Sequence, residues 1–197
     1  MNANASASGM NRSRERVLNW FSRTAPLVEW SEIDSPLGQL YLAQSETGLC
    51  RLAFGVSEDN FRARLPARAR SRRNPDALRE AQEQLIAYFD GCQVRFRLPV
   101  DLGEMTRFQQ RVLRRASAIP AGELRSYGDI AREMGSPRAS RAVGQALGRN
   151  PVPIVVPCHR VVGSDGRLTG YSGARGIESK RWLLRLEGAP VKEVPGD

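Results

Sequence analysis

A chain of 197 residues has room for one large domain or two small ones, and at 41% hydrophobic residues it can bury a core. No apolar run approaches the roughly 18 residues that span a membrane, and Val17-Leu18-Asn19-Trp20-Phe21 is too short and polar for the core of a signal peptide, so a cytoplasmic protein is expected. The formal charge is +9 and is nearly all arginine, since Lys180 and Lys192 are the only lysines. It is also lopsided: residues 104–190 hold 15 basic and 7 acidic side chains, against 14 and 12 in residues 1–103. The second half therefore carries the field that would attract a polyanion. The three cysteines, Cys50, Cys92 and Cys158, are too few and odd in number for a disulfide framework and fit a reducing compartment. With one histidine and no Cys-x-x-Cys, no metal site is expected.

Residues 1–26 are rich in Ser, Asn, Ala and Arg without periodicity and read as a disordered leader. A small α/β domain is expected over 27–98. Residues 27–33 look like a strand, Ser35-Pro36-Leu37-Gly38 like a turn, and 39–43 and 49–54 like two further strands of an antiparallel meander. Phe61 and Leu65 suggest a short helix, followed by an arginine-dense loop over 66–74. Pro75 opens a helix running through Asp90 with Leu78, Leu85, Ile86 and Phe89 on one face, and Gly91 closes it. Residues 94–98 read as a short strand. Cys50 and Cys92 are expected to be packing residues. Residues 99–103 form a linker.

The pattern then turns helical over 104–190, with 191–197 as a tail. Thr106 caps a helix carrying Phe108, Val112, Leu113 and Ala116, and Ser126 caps one with Ile130, Ala131 and Met134 that Gly135 breaks. Ser136-Pro137 is expected to cap a third, with Ala142, Val143, Ala146 and Leu147 on its apolar face. Two short helices about a glycine-containing turn make a helix-turn-helix pattern. The second presents Arg138, Ala139, Ser140, Arg141, Ala142 and Gly144, small residues that allow close approach to a groove beside arginines suited to phosphate. Next comes Asn150-Pro151-Val152-Pro153-Ile154-Val155-Val156-Pro157-Cys158-His159-Arg160, whose prolines dictate an extended or turn segment. A thiol beside the one side chain that titrates near neutrality is a candidate activated nucleophile, set against the alternative of a buried cysteine with a chance neighbour. Gly163 to Gly166 reads as a hairpin turn, residues 168–173 as a glycine-rich loop, and 177–186 as a last helix with Trp182, Leu183 and Leu186 inward.

The series Ser126-Tyr127-Gly128, Arg141-Ala142-Val143-Gly144, Asn150-Pro151, Pro157-Cys158-His159-Arg160-Val161-Val162, Gly170-Tyr171-Ser172-Gly173, Trp182-Leu183-Leu184 and Glu187-Gly188 strongly resembles the O6-alkylguanine-DNA alkyltransferases. The resemblance implies an α+β chain: an RNase H-like α/β N-terminal domain followed by a mainly helical, winged helix-turn-helix-like domain. It implies a cofactor-free, monomeric, single-turnover transfer of an alkyl group from O6-alkylguanine, and O4-alkylthymine, in double-stranded DNA to Cys158. His159 and Glu187 would complete the nucleophilic set through a bridging water, Glu187 favouring protonated His159. Tyr127 and Asn150 would bind the base and tie the recognition helix to the site, and Val161, Tyr171, Ser172 and Arg160 would line the base pocket. Arg141 would fill the stack left by the flipped nucleotide. Rival readings are a non-enzymatic helix-turn-helix DNA-binding protein, which leaves Cys158-His159-Arg160 without purpose, and a cysteine hydrolase, against which the basic face counts.

Overall fold

The computed structural model describes residues 25–92, 95–171, 173 and 175–191. The expectations for the leader before residue 25, for Val94, for Ser172 and for the tail beyond residue 191 lie outside the described residues.

Three strands arise where the sequence alternates: β1 (Leu27–Ile33), β2 (Leu40–Ser45) and β3 (Gly48–Phe54). They pair antiparallel in chain order, and β4 (Arg70–Arg73) lies parallel against the free edge of β1. β4 corrects the expected arginine-dense loop. Its Arg-Ser-Arg-Arg side chains are all exposed, so no apolar alternation marks it. The backbone ladder makes it, with Arg72 on Glu29 at 2.5 Å and Arg73 paired with Glu32. Charges on an edge strand also discourage pairing with another chain.

Helix α1 (Glu58–Arg62) follows the meander, capped by Ser57. A 3-10 turn over Asp76–Leu78 leads into α2 (Arg79–Phe89), which lays Ala81, Leu85, Tyr88 and Phe89 on the sheet; Gly91 ends it at φ 73. Residues 95–98 do not form the expected strand. The ladder contact falls further on, where Val100 bridges Leu49 in parallel and Leu49 bonds Pro99 and Asp101. The linker is thus fastened to β3, and Gly48 permits it, because a Cβ there would stand 2.4 Å from the Pro99 carbonyl oxygen. Cys50 is buried, as expected of a packing residue, but Cys92 is exposed: it sits past Gly91, where the helix has ended and no apolar face continues.

Helix α3 (Arg107–Ser117) and helix α4 (Tyr127–Glu133) both start on full capping boxes, Thr106 with Gln109 and Ser126 with Asp129. Helix α5 begins later than expected, at Ser140, and runs to Gly148. Residues 136–139 instead form a turn closed by Ala139 N on the Ser136 carbonyl at 2.8 Å. Proline serves the second position of such a turn as well as the first of a helix, which is why Ser136-Pro137 misplaced the boundary. Val143, Ala146 and Leu147 are buried on α5, whereas Ala142 is exposed, one residue off the stripe. Two residues, β5 (Arg125–Ser126), pair parallel with β6 (Val161–Val162). The turn at Gly163 to Gly166 forms, but among the described residues no strand returns from it to make a hairpin. Helix α6 (Ile177–Leu186) closes the fold; Leu183 and Leu184 are buried, while Trp182 and Leu186 are only partly so.

The two cores interlock. The sheet-side core of Leu40, Leu42, Leu52, Phe54, Leu85 and Tyr88 also takes in Val152, Ile154 and Leu183 from the second half. The helical core of α3, α4 and α5 includes Val156, Cys158 and Val161. Residues 150–158 therefore run between two packed cores.

Candidate active site

The segment after α5 is fixed first by Asn150, buried at the helix end. Its Oδ1 accepts from Val152 N at 3.1 Å, and its Nδ2 donates to the Val156 carbonyl at 2.8 Å and to Cys158 Sγ at 3.1 Å. One amide so staples both ends of a turn that Val156 N closes on the Val152 carbonyl at 2.9 Å. Leu52 N of β3 holds Pro151 O at 2.9 Å from outside. Ile154 in this turn has φ 76, and it is the one non-glycine described residue with positive φ. A β-branched residue there stores about 1–3 kcal/mol of strain, retained because Ile154 is fully buried in the sheet-side core.

Cys158, His159 and Arg160 form a single 3-10 turn, closed by Arg160 N on the Pro157 carbonyl at 3.0 Å. Of the extended and turn forms that the prolines allow, the chain takes the turn here. Pro157 fixes the entry to a tight turn, and in a turn of three residues the side chains fan out. Cys158 faces Asn150, while both His159 and Arg160 reach Glu187 at the end of α6. Glu187 is fully buried and accepts four hydrogen bonds: His159 Nε2 at 2.9 Å, Arg160 Nε and Nη2 at 2.8 Å each, and Tyr88 Oη at 2.8 Å. Arg160 also donates to the Ile119 carbonyl at 2.5 Å. Its guanidinium is thus fully engaged with Glu187 and the chain behind it, which corrects its expected place in the base pocket.

The electrostatics follow from burial opposed by these bonds. The Glu187 carboxyl is lowered to about 2: burial opposes its ionisation, and the bonds from His159 and Arg160 and their charges outweigh it. Burial holds the His159 imidazole below its ordinary value, although the bond and charge of Glu187 pull the other way. The expected pull of Glu187 toward the protonated form is thus present, and desolvation, aided by the charges of Arg160 and Lys180, opposes it. Burial likewise pushes the Cys158 thiol up, moderated by the Asn150 amide and the Lys180 charge. A resting thiol and a neutral imidazole are a nucleophile and a base before proton transfer. Among the described residues, the buried His159 Nδ1 and Tyr171 Oη have no hydrogen-bond partner.

Tyr127 opens α4 and its hydroxyl accepts from Thr169 Oγ1 at 3.2 Å. Val161 is fully buried, and its carbonyl accepts from Lys180 Nζ at 2.6 Å. Tyr171 is half-buried between the cores, near Phe54. On the helix-turn-helix, Arg138, Arg141 and Ala142 are exposed, Ala139 and Ser140 partly so, and Gly144 packs against the Tyr127 ring. Sequence reasoning missed two residues. Lys180 is fully buried on Val161 O and Thr169 O with its amine lowered to about 8 by burial. Its signal was its type, a lysine in a chain that otherwise uses arginine. Tyr88 comes from α2, 99 residues before Glu187, and nothing in its amphipathic helix distinguished it from a core residue.

A buried thiol and imidazole set directly behind a helix-turn-helix define a class of protein: one that works through a cysteine nucleophile held against a helix-turn-helix recognition surface. The chain belongs to the 6-O-methylguanine DNA methyltransferase family, whose ribonuclease-like domain matches residues 28–102 and whose DNA binding domain matches residues 107–189. It is 45% identical over 161 residues to the methylated-DNA–protein-cysteine methyltransferase of Mycolicibacterium paratuberculosis, covering 82% of this chain and 93% of that one. The constitutive enzyme of that name from Bacillus subtilis is 43% identical over 164 residues, covering 83% and 98%. Among solved structures, Mycobacterium tuberculosis OGT in complex with DNA is similar, with a TM-score of 0.70 and 45% identity over 82% of this chain and 95% of that one.

Proposed function

We propose that this protein repairs DNA by moving an alkyl group from O6-alkylguanine, and from O4-alkylthymine, in double-stranded DNA irreversibly onto Cys158. The observation that carries the reading is the Asn150–Cys158 bond beside the His159–Glu187 pair, at the root of the helix α5. Cys158 Sγ attacks the alkyl carbon; the carbon–sulfur bond forms as the carbon–O6 bond breaks. The thiol proton passes to neutral His159, which Glu187 stabilises as it becomes charged, and the imidazolium gives that proton up to the leaving guanine, so none is gained or lost overall. The thioether product has no easy reversal, so each molecule acts once and needs no cofactor. Asn150 positions the sulfur, and Tyr127, Val161, Tyr171 and Ser172 form the base pocket. Arg138, Ala139, Ser140, Arg141, Ala142 and Gly144 meet the duplex, with Arg141 replacing the flipped nucleotide. The active unit is a monomer with a sheet domain over 27–98 and a reactive domain over 104–190. The three free cysteines suit a cytoplasmic location, and among the described residues no helix is long and apolar enough to cross a membrane.

Intact mass after mixing with an oligonucleotide duplex carrying O6-methylguanine tests the reading. One added methyl group per chain, mapped to Cys158, is expected. Tight DNA binding with no mass gain would instead establish the non-enzymatic helix-turn-helix alternative.

A further inference from the structure

Between β3 and the end of α5 lies a cleft of about 300 Å³. Three arginines from three separate segments line it: Arg51 on β3, Arg64 after α1, and Arg149 after α5; no carboxylate does. The Arg51 Nε is buried without a hydrogen-bond partner. Its Nη2 pairs with the exposed Glu104 at 3.4 Å. Arg64 and Arg149 are exposed, and neither guanidinium has a partner among the described residues. Four other arginines of the sheet domain are paired, Arg62 with Glu58, Arg72 with Glu29, Arg73 with Glu32 and Arg79 with Asp76. Three like charges with one carboxylate, Glu104, among them repel one another, and a guanidinium fork matches a phosphate.

The cleft also continues a surface. On α5 the exposed positions Arg141, Gln145 and Gly148 recur at helical spacing and lead straight to Arg149. A duplex lying along that face carries its backbone to the cleft mouth. We infer that Arg51, Arg64 and Arg149 form a clamp for a backbone phosphate, making the N-terminal sheet domain part of the DNA-binding surface. This rests on the reading above that the partner is duplex DNA. The clamp spans both halves of the chain, so it also sets their relative position when DNA is bound.

The test is duplex affinity against salt concentration for the full chain, Arg64→Ala/Arg149→Ala, and the control Arg72→Ala/Arg79→Ala, which removes two charges outside the cleft. Each lost phosphate contact lowers the slope of log affinity on log salt by about 0.9, so the cleft pair, which holds one phosphate, should lose up to about 0.9 and the control should lose little. Rates with free O6-benzylguanine, which needs no duplex, should be equal in all three. An unchanged slope in the cleft pair, or an equal drop in the control, overturns the clamp. Absence of salt-dependent duplex binding by the unmodified chain would overturn the DNA reading itself, and the two failures are thus distinct. Arg64→Lys, which keeps charge without the fork, should recover most of the slope of Arg64→Ala; no recovery would count against an ionic contact.

Discussion

Asn150→Ala removes the staple at the centre of the site. The amide makes three buried bonds, to Val152 N, the Val156 carbonyl and Cys158 Sγ. Alanine leaves the buried Val152 N–H unsatisfied, at about 1–3 kcal/mol, while the Val156 carbonyl keeps its bond from Cys158 N. The turn is under strain at Ile154, which has φ 76, so losing the staple also frees it to open. For a chain of this size each kcal/mol lowers the melting temperature by about 2–4 °C, giving a fall of roughly 2–12 °C. The second consequence is chemical. The Asn150 amide is the strongest influence holding the Cys158 thiol down against burial, so without it the thiol should ionise less readily and the acid limb of the pH–rate profile should move up. Melting curves and single-turnover rates with free O6-benzylguanine from pH 6 to 9, followed by intact mass, measure both. A melting temperature within about 2 °C of the parent would mean that the two cores and the Leu52–Pro151 bond hold the turn unaided. An unmoved acid limb would show that Asn150 serves architecture alone.

Four further outcomes are expected. Cys158→Ser should abolish transfer while duplex affinity stays within about two-fold, because a hydroxyl is far less ionised than a thiol; any methyl gain by intact mass would remove Cys158 from its role. Arg141→Ala should slow repair of duplex substrate at least about ten-fold more than reaction with the free benzylated base, since flipping a base costs a few kcal/mol; equal losses in paired single-turnover assays would assign Arg141 to folding. Glu187→Gln should cost about 3–5 kcal/mol at pH 7 by leaving Arg160 buried without its charge partner. The Glu187 carboxyl falls from 4.5 to about 2 on folding, so its contribution, about 3 kcal/mol, is present above pH 4.5 and lost as pH falls through 2. In a His159→Gln background, which removes the second titrating group, urea unfolding at pH 7 and pH 3 should therefore show the Glu187→Gln penalty shrinking at the lower pH; a constant penalty refutes an ionised Glu187. Methylation of Cys158 should lower the melting temperature by several degrees, since a closely packed site that gains a methyl group loses about 1–3 kcal/mol; an unchanged curve after stoichiometric reaction would show that the pocket takes the product without strain.

Much of this was legible because local chemistry and fold agree. The strand over Leu27–Ile33 and the helix over Ile177–Leu186 fall where alternation and helical spacing place them, and both capping boxes were marked by their Ser or Thr. β4 was hidden because an edge strand with exposed arginines obeys backbone pairing and not side-chain alternation. The start of α5 was misplaced because proline suits a turn and a first helical turn alike. At the site, His159 pairs with Glu187, while Cys158 Sγ is bonded to Asn150. Arg160 gives Nε and Nη2 to Glu187 and Nη1 to the Ile119 carbonyl, partners that only the tertiary packing decides. The pull of Glu187 on His159 was visible in the sequence, but the complete burial of the imidazole, which opposes its charged form, was not.

The sheet domain has more than a packing role in this chain. Tyr88 donates to the same Oε1 of Glu187 that His159 Nε2 contacts, and Leu52 N holds the Pro151 carbonyl on the turn that aims Cys158. Val152 and Ile154 complete its core, so the strained conformation at Ile154 exists only while the sheet is folded. Glu187 in turn must serve a permanent cation, Arg160, and a neutral base, His159, with one charge. Arg160 and Tyr88 supply three of its four bonds, which leaves the bond to His159 as the one whose strength changes during the reaction. Burial holds the imidazole below its ordinary value at rest, while a charge is already in place to stabilise it once protonated, and Tyr88, from the domain that holds no nucleophile, helps to hold that charge. Separating the two halves should accordingly abolish reaction with the free base as well as with DNA, an outcome that a purely DNA-positioning sheet domain would not produce.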